Sequence, residues 1–352
     1  MRAASGEGVG TMVNAKDWVV VGLDNGGTAN NATVLDHEGM FLVDGLVEVP
    51  SRVLEGPETA VESLAGAFDH ILAVTKVDRS RVVAVGLDTP GPASAAGVIS
   101  SKGATNFSQP AWWGYDFRGA LERRLDLPVV YNNDGNAAAL YAHHVYFGAD
   151  SHTRSSVSAI VGTGLGGGVI ERGQVVRGAA GMAGELGHVH IPLHGLLEEG
   201  QPLPSCGCGF LGDVESVSSL TGIVRNLLPY WLTRYPDHPL HRAESVKAAA
   251  KQVRSYAEQG DELALHIFEQ QAMGLGRLFT IAANFTDPDC YFVGGGVVEA
   301  AAHFRDWFLA RVREHTLLRE EQGAAAEFAL VPDRDMAGAR GAAIAAAGTV
   351  VA

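Results

Sequence analysis

Apolar runs of bilayer-spanning length, about 20 residues, are missing from this 352-residue chain. The segment Met1 to Lys16 has neither a basic stretch nor an apolar one, so it does not read as a secretory signal. It is expected to be a disordered tail, with Met12 an alternative start. Cysteine is scarce. There are three, and Cys206 and Cys208 stand too close together for a disulfide framework, which points to the cytoplasm. Basic residues are also few, 26 Lys and Arg against 40 Asp and Glu. The resulting charge of −14 argues against a nucleic-acid surface, which needs clustered cations. What is plentiful is glycine, 44 residues, within a chain that is 47% hydrophobic. That describes a compact protein rich in tight turns and long enough for two domains, each with its own core.

The chain is organised around Val129 to Ala139. Val129 to Tyr131 read as the end of a buried strand, and Ala137 onward as a helix. Asn132, Asn133 and Asp134 fill the turn between them. In α/β proteins ligands bind at the carboxyl ends of strands. A carboxylate flanked by amides there can orient a polyhydroxylated ligand and accept a proton from one hydroxyl. Asn133 or Asp134 can equally cap the helix, the commoner use of such residues.

In chain order, Trp18 to Leu23 is an apolar strand running into Asp24-Asn25-Gly26-Gly27-Thr28. A second strand is expected at Asn31 to Leu35 and a third near Met40 to Val43. Gly26 and Gly27 allow close backbone approach to an anion, Thr28 adds a hydroxyl, and Asp24 could hold a hydrated metal cation. An ordinary hairpin would look the same, but the plan recurs. Ser156 to Val161 is again an apolar strand, followed by Gly162-Thr163-Gly164-Leu165-Gly166-Gly167-Gly168, Val169-Ile170, a polar turn and Val175-Val176. A duplicated unit suggests two related domains facing each other, with two glycine hairpins across a cleft. Gly162 to Gly167 also satisfies G-x-G-x-x-G. The dinucleotide fold needs a helix after those glycines, and here a strand is expected. A Walker lysine motif is absent.

Pro57 to Lys76 is a helix by spacing, with Val61, Leu64, Phe68, Ile71 and Leu72 on one face. The strand Val82 to Leu87 ends at Asp88-Thr89-Pro90-Gly91-Pro92. Asn106 falls in an irregular polar loop, Trp112 and Trp113 read as core or lid, and a helix is expected from Asp116 to Leu125. A second constellation follows: Gly184-Glu185-Leu186-Gly187-His188, then Cys206-Gly207-Cys208, Asp213 and Glu215. Two thiols one residue apart with a nearby His and an acid resemble a zinc knuckle. The polar loop Pro192 to Ser205 between them needs something to fix it. Beyond lie helices through Tyr230-Trp231 and Leu263 to Phe285. A strand at Tyr291 to Val293 then meets Gly294-Gly295-Gly296, glycines suited to a flat nucleobase or ribose. An alanine-rich helix, Met336 to Ala347, packs back on the core.

Taken together in this order, the motifs resemble the ROK family (repressors, open reading frames and kinases), in its sugar-kinase branch. The resemblance runs from about Val19 to the C-terminus. It rests on Asp24 to Thr28, Pro90-Gly91-Pro92, Asn133-Asp134, Gly162 to Gly164, Gly184 to His188, the Cys206 segment and Gly294 to Gly296. It implies an actin/hexokinase-like (ribonuclease H-like) duplicated α/β fold with a central ATP and sugar cleft. Its domains would be 17–134 with 336–352, and 135–335. It implies Asp134 as catalytic base, with Gly91, Asn106, Asn133, Glu185, His188 and Glu215 around the sugar. Asp24, Gly26, Gly27, Thr28, Thr163, Gly164, Gly295 and Gly296 would hold Mg-ATP. Structural zinc would sit on His188, Cys206, Cys208 and Asp213. Family members place a third Cys where this chain has Asp213, and their His-to-Cys loop is shorter. Family repressors carry an N-terminal helix-turn-helix domain, which the tail before Trp18 is too short to supply.

The expected activity is therefore transfer of the ATP γ-phosphate to a hexose, with the 6-hydroxyl of glucose first. Kanosamine, N-acetylglucosamine, N-acetylmannosamine or another hexose comes second, and a sugar-sensing protein without catalysis is the competing class. A homodimer or homotetramer is the expected assembly, with neither nucleic acid nor membrane as partner.

Overall fold

The computed structural model describes residues 17–91, 94–100, 105–331 and 336–351. The expected tail 1–16 and Pro92 lie outside the described residues. The first sheet is built from β1 (Val19–Asn25), β2 (Ala29–Asp36), β3 (Glu48–Pro50), β4 (Val82–Thr89) and β5 (Val129–Asn133). Its order is β3-β2-β1-β4-β5, with β1–β2 and β2–β3 antiparallel and β1–β4 and β4–β5 parallel. The second sheet comprises β6 (Ser156–Val161), β7 (Leu165–Glu171), β8 (Gln174–Val175), β9 (Cys290–Gly295) and β10 (Glu327–Leu330). Read from its other edge its order is β8-β7-β6-β9-β10, with the same senses strand for strand. The repeat seen in the sequence is thus a duplicated topology. A strand, not a helix, follows Gly162-Thr163-Gly164, so the dinucleotide pattern has no structural counterpart.

Helices cover both sheets. On one face of the first lie α1 (Pro57–Thr75) and α2 (Phe117–Leu125), sharing a core with Val21, Leu23, Phe68 and Leu121. One helix follows the last strand of each sheet, α3 (Asp134–Phe147) after β5 and α10 (Ala337–Val351) after β10. They are exchanged: α3 packs on β7, while α10 packs on β1 and β4. Glycines make this contact close. A Cβ on Gly22 or Gly86 would lie 2.0 or 1.9 Å from α10 carbonyl oxygens, and one on Gly341 1.9 Å from the Ala137 carbonyl of α3. The second sheet is backed by α4 (Leu220–Gly222), which continues through a π turn into α5 (Leu228–Arg234), then α6 (Val246–Glu258), α7 (Glu262–Thr286) and α8 (Ala302–Glu314), while the short α9 (Glu320–Ala325) has no buried residue.

The third strand is a correction. It lies at Glu48–Pro50, not near Met40 to Val43, where a single bridge joins Leu35 to Phe41. Phe41 and Val43 pack on the core while Met40 and Leu42 are exposed, so the apolar alternation covers the core from a loop instead of from a strand. Pro50 ends an edge strand, where its missing N–H costs no ladder bond.

Candidate active site

The β5–α3 turn caps its helix and leaves further polar groups available. Helix α3 starts at Asp134, three residues earlier than the sequence suggested. Asn133 is its N-cap, its Oδ1 accepting the Asn136 N–H at 2.9 Å. That leaves the Asn133 amide nitrogen free to donate to Glu185 Oε1 at 3.3 Å. Asp134 occupies the first helical position, where the helix dipole favours a negative charge, and its Oδ1 accepts the Gly135 N–H at 2.8 Å. The residue is exposed, yet protein crowds around its carboxylate. That desolvation raises its pKa above the ordinary carboxylate range.

Beside it stands an acidic pair. Asp24 and Asp88 are register partners on the parallel strands β1 and β4. Both reach the start of α10, where a Cβ on Gly338 would lie 2.5 Å from Asp88 Oδ2 and 3.1 Å from Asp24 Oδ2. Desolvation, opposed by a bond from Asn31 and reinforced by Asp134, raises Asp24 to about 6. Asp88 is buried and raised well above its usual value by desolvation, then by Asp24 and Asp134. Among the described residues its Oδ1 has no hydrogen-bond partner. A crowded carboxylate pair with an orphaned oxygen suits a divalent cation, whose charge would offset the repulsion.

The glycine turns hold their expected places at strand ends. Gly26 donates to the Ala29 carbonyl at 3.0 Å, closing the β1–β2 hairpin, and Gly27 and Thr28 are exposed. Asn106 lies in a single 3-10 turn, Thr105–Phe107, not an irregular loop, and sits against Gly27. It therefore faces the first hairpin. In the second hairpin the Gly162 and Thr163 carbonyls accept the amides of Leu220 and Thr221 at 3.0 Å each, which ties the turn to α4. Gly295 has φ +89 and lies so close to β6 that a Cβ would be 1.9 Å from the Val161 carbonyl, so only glycine fits. Arg254 donates to the Gly296 carbonyl at 2.5 Å.

The remaining expected residues gather around Asn133 and Glu185. Gly91 faces the Asn133 side chain. Burial raises the Glu185 pKa, with His188 opposing and Asp134 and Glu215 adding to it, so these groups share one field. His188, Cys206, Cys208 and Asp213 bring ligand atoms within 4.8 Å of one another. Asp213 divides its oxygens: Oδ1 accepts the Ser216 N–H at 2.9 Å, while Oδ2 faces His188 Nδ1 at 3.3 Å and Cys208 at 3.6 Å. One oxygen of Asp213 therefore caps the loop and the other stays turned toward the His and the Cys. One imidazole, two thiols and one carboxylate oxygen are an acceptable four-ligand set for zinc. Glu215 is engaged as well, accepting from Leu165 N–H at 2.9 Å and facing Cys206 Sγ at 3.3 Å. It links the second hairpin to the cysteine segment.

Two residues at this site carried no signal in the sequence. Asp88 is one letter at the end of an apolar strand, and strand register alone brings it to Asp24. Arg177 follows β8 and reaches the end of β5. Together with Asn132, Asn133, Asn136 and Glu185 it lines a small cavity.

The ROK family pattern matches residues 20–348. A glucokinase of Halalkalibacterium halodurans is 31% identical over 84% of each chain. N-acetylmannosamine kinases, 29% and 28% identical over 78% of this chain, are also among its relatives. Among solved structures, a ROK hexokinase from Thermus thermophilus superposes with TM-score 0.73 at 31% identity, covering 95% of this chain and 99% of the other. A ROK family glucokinase from Streptomyces griseus, in complex with glucose and AMPPNP, gives 0.64 at 28% identity over 93% and 99%.

Proposed function

This chain belongs to the ROK family and has its actin/hexokinase-like fold, and from that premise we propose an ATP-dependent sugar kinase with glucose as first substrate. The observation that carries it is Asp134, a carboxylate of raised pKa at the start of α3, joined through Asn133 to Glu185. In this mechanism Asp134 takes the proton of a primary sugar hydroxyl while that oxygen attacks the γ-phosphorus. The new O–P bond forms as the bond to the bridging oxygen breaks, and ADP leaves. General-base help of this kind contributes about 10²–10⁴-fold, with positioning and charge neutralisation supplying most of the rest. Asn133 and Glu185 orient the sugar, with Gly91, His188, Glu215 and Asn106 around it. The two hairpins at Gly26-Gly27-Thr28 and Thr163-Gly164 clamp the phosphates, and Gly295-Gly296 make room for the nucleoside.

Mg2+ when bound would neutralise phosphate charge, and Asp24, with Asp88 behind it, would hold it. Zinc, held by His188, Cys206, Cys208 and Asp213, would anchor the loop that presents His188 and Glu215. Asp213 is a harder ligand than the family's Cys, so affinity should be lower. Elemental analysis of protein purified without chelator checks this, with about one zinc per chain expected. A metal-free, fully active preparation removes zinc from the scheme.

A cytoplasmic homodimer or homotetramer completes the proposal, the assembly being measurable by light scattering. Among the described residues no helix is long and apolar enough to cross a membrane. The deciding experiment is an ADP-coupled assay over glucose, mannose, kanosamine, N-acetylglucosamine and N-acetylmannosamine. The relatives that are N-acetylmannosamine kinases keep amino sugars as the second reading. Binding of a sugar without ADP formation on any of them points instead to a sensor.

A further inference from the structure

We infer that Arg177 is a positioning residue for phosphoryl transfer, the strut by which the second sheet's unit fixes the end of β5 and so places Asn133 and Asp134. The inference rests on the sugar-kinase proposal above. Arg177 Nη1 donates to the Tyr131 carbonyl at 2.6 Å and Nη2 to Asn132 Oδ1 at 2.9 Å. Those are the two residues immediately before Asn133 and Asp134. The guanidinium is partly buried, and that burial lowers its pKa. Its partners here are a carbonyl and an amide oxygen rather than a carboxylate. Desolvating a cation for two neutral acceptors is unfavourable unless the geometry they impose is needed. A planar fork fixes distance and angle together, which an ammonium cannot do.

The segment that carries Arg177 is itself docked on the first sheet's unit. Ala183 N–H donates to the Arg177 carbonyl at 3.1 Å, closing the loop, and Ala95 N–H donates to the Ala180 carbonyl at 3.2 Å. Gly181, at φ +79, lies so near Ala95 that a Cβ would be 2.5 Å from the Ala95 nitrogen. The same segment continues to Glu185, which meets Asn133. The catalytic turn is therefore held from residues 177–185 at two points, by the Arg177 fork on its strand side and by Glu185 on its helix side. Tyr131 is braced independently by its hydroxyl, 3.0 Å from Thr89 Oγ1. The fork thus acts on the strand end and leaves the sheet interior to its own bonds.

Full-length Arg177→Lys and Arg177→Gln proteins test this against wild type, using the sugar that wild type phosphorylates best. Misplacing a catalytic group by about 1 Å costs on the order of 10²-fold. Both variants are therefore expected to lose roughly 10- to 100-fold in kcat and to raise the sugar KM, with MgATP KM within about two-fold of wild type. Cooperative melting should be retained. Wild-type kinetics in Arg177→Lys overturn the inference, because charge would then suffice without the fork. A reduced folded fraction with both KM values unchanged also overturns it, as a plain stability effect. Calorimetric sugar binding makes the same comparison without turnover, and weaker binding is expected in both variants. Wild type that forms no ADP with any sugar defeats the kinase proposal alone. Unweakened sugar binding in the variants defeats the strut.

Discussion

Asp134 must be ionised to accept a proton, and desolvation by the protein crowded around it holds its pKa above the usual carboxylate range. The ionised fraction then falls at higher pH than for an exposed Asp, near 3.9. The acid limb of kcat/KM should accordingly lie above that value, and Asp134→Asn should cut kcat by about 10²–10⁴-fold with sugar binding retained by calorimetry. Near-normal turnover in that variant removes Asp134 as the base. Asp24 makes an opposite kind of prediction. Its folded pKa is raised from 3.8 to about 6, so the folded state binds this proton more tightly than the unfolded chain. Stability from this group is full below about pH 4 and is lost as pH rises through about 6. Metal-free Asp24→Asn should therefore be more stable than wild type at pH 7.5, by an order of 2–3 kcal/mol, and should lose that advantage at pH 4. Urea unfolding at the two pH values measures it; an equal effect at both would show that the carboxylate's charge is not the cause. Asp24 and Asp134 were legible because each sits in a motif. Asp88 was not, since nothing in one strand announces which residue of another strand stands beside it.

Hairpins and loops behave less independently than their motifs suggest. Gly164 reads as a phosphate contact, yet a Cβ there would lie 2.6 Å from Glu215 Oε2. Gly164→Ala should therefore raise the KM for sugar as well as for MgATP, through displacement of Glu215; a change confined to MgATP would mean that Glu215 moves aside freely. The loop at Pro192 to Ser205 was expected to need an anchor, and the sequence pointed to metal. The structure adds another anchor on α7. Buried Gln270 donates to the Leu196 carbonyl at 2.8 Å and to Gln201 Oε1 at 2.6 Å, and accepts from Trp231 Nε1 at 2.8 Å. Arg277 holds the carbonyls of Pro192 and His194. Gln270 reads in sequence as one polar residue in an apolar helix, so its partners 69 and 74 residues away could not be seen. Gln270→Leu strands a buried indole N–H and a carbonyl, at about 1–3 kcal/mol each. Lower urea stability and new protease cleavage within 192–205 are expected, and intact resistance would assign the loop's order to other contacts.

At the scale of the whole molecule, the duplication was legible because strand, glycine turn and strand recur with similar composition. The exchange of α3 and α10 was not legible in the helices themselves, because an alanine-rich helix carries no mark of which sheet it covers; only the resemblance set 336–352 with the first unit and 135–335 apart from it. Glycines at the interfaces record it instead. Gly22 and Gly86 let α10 approach β1 and β4, and Gly341 lets α10 cross α3 near Ala137. These contacts lie where each unit lends its last helix to the other, so the packing there sets how the two halves meet. Overpacking such a contact costs typically 1–3 kcal/mol, because backbone rather than a flexible side chain stands in the way. Gly66 provides the contrast. It is exposed in the middle of α1, and a Cβ there meets nothing within 4 Å. Alanine gains about 0.5–1 kcal/mol over glycine in an open helical position. The same substitution should thus have opposite signs: Gly66→Ala raises the thermal midpoint with kinetics unchanged, while Gly341→Ala lowers it. Because α10 also approaches Asp24 and Asp88 through Gly338, Gly341→Ala should raise MgATP KM too. Equal midpoints for the two variants would mean that the α3–α10 crossing yields without strain and does not fix the spacing of the halves.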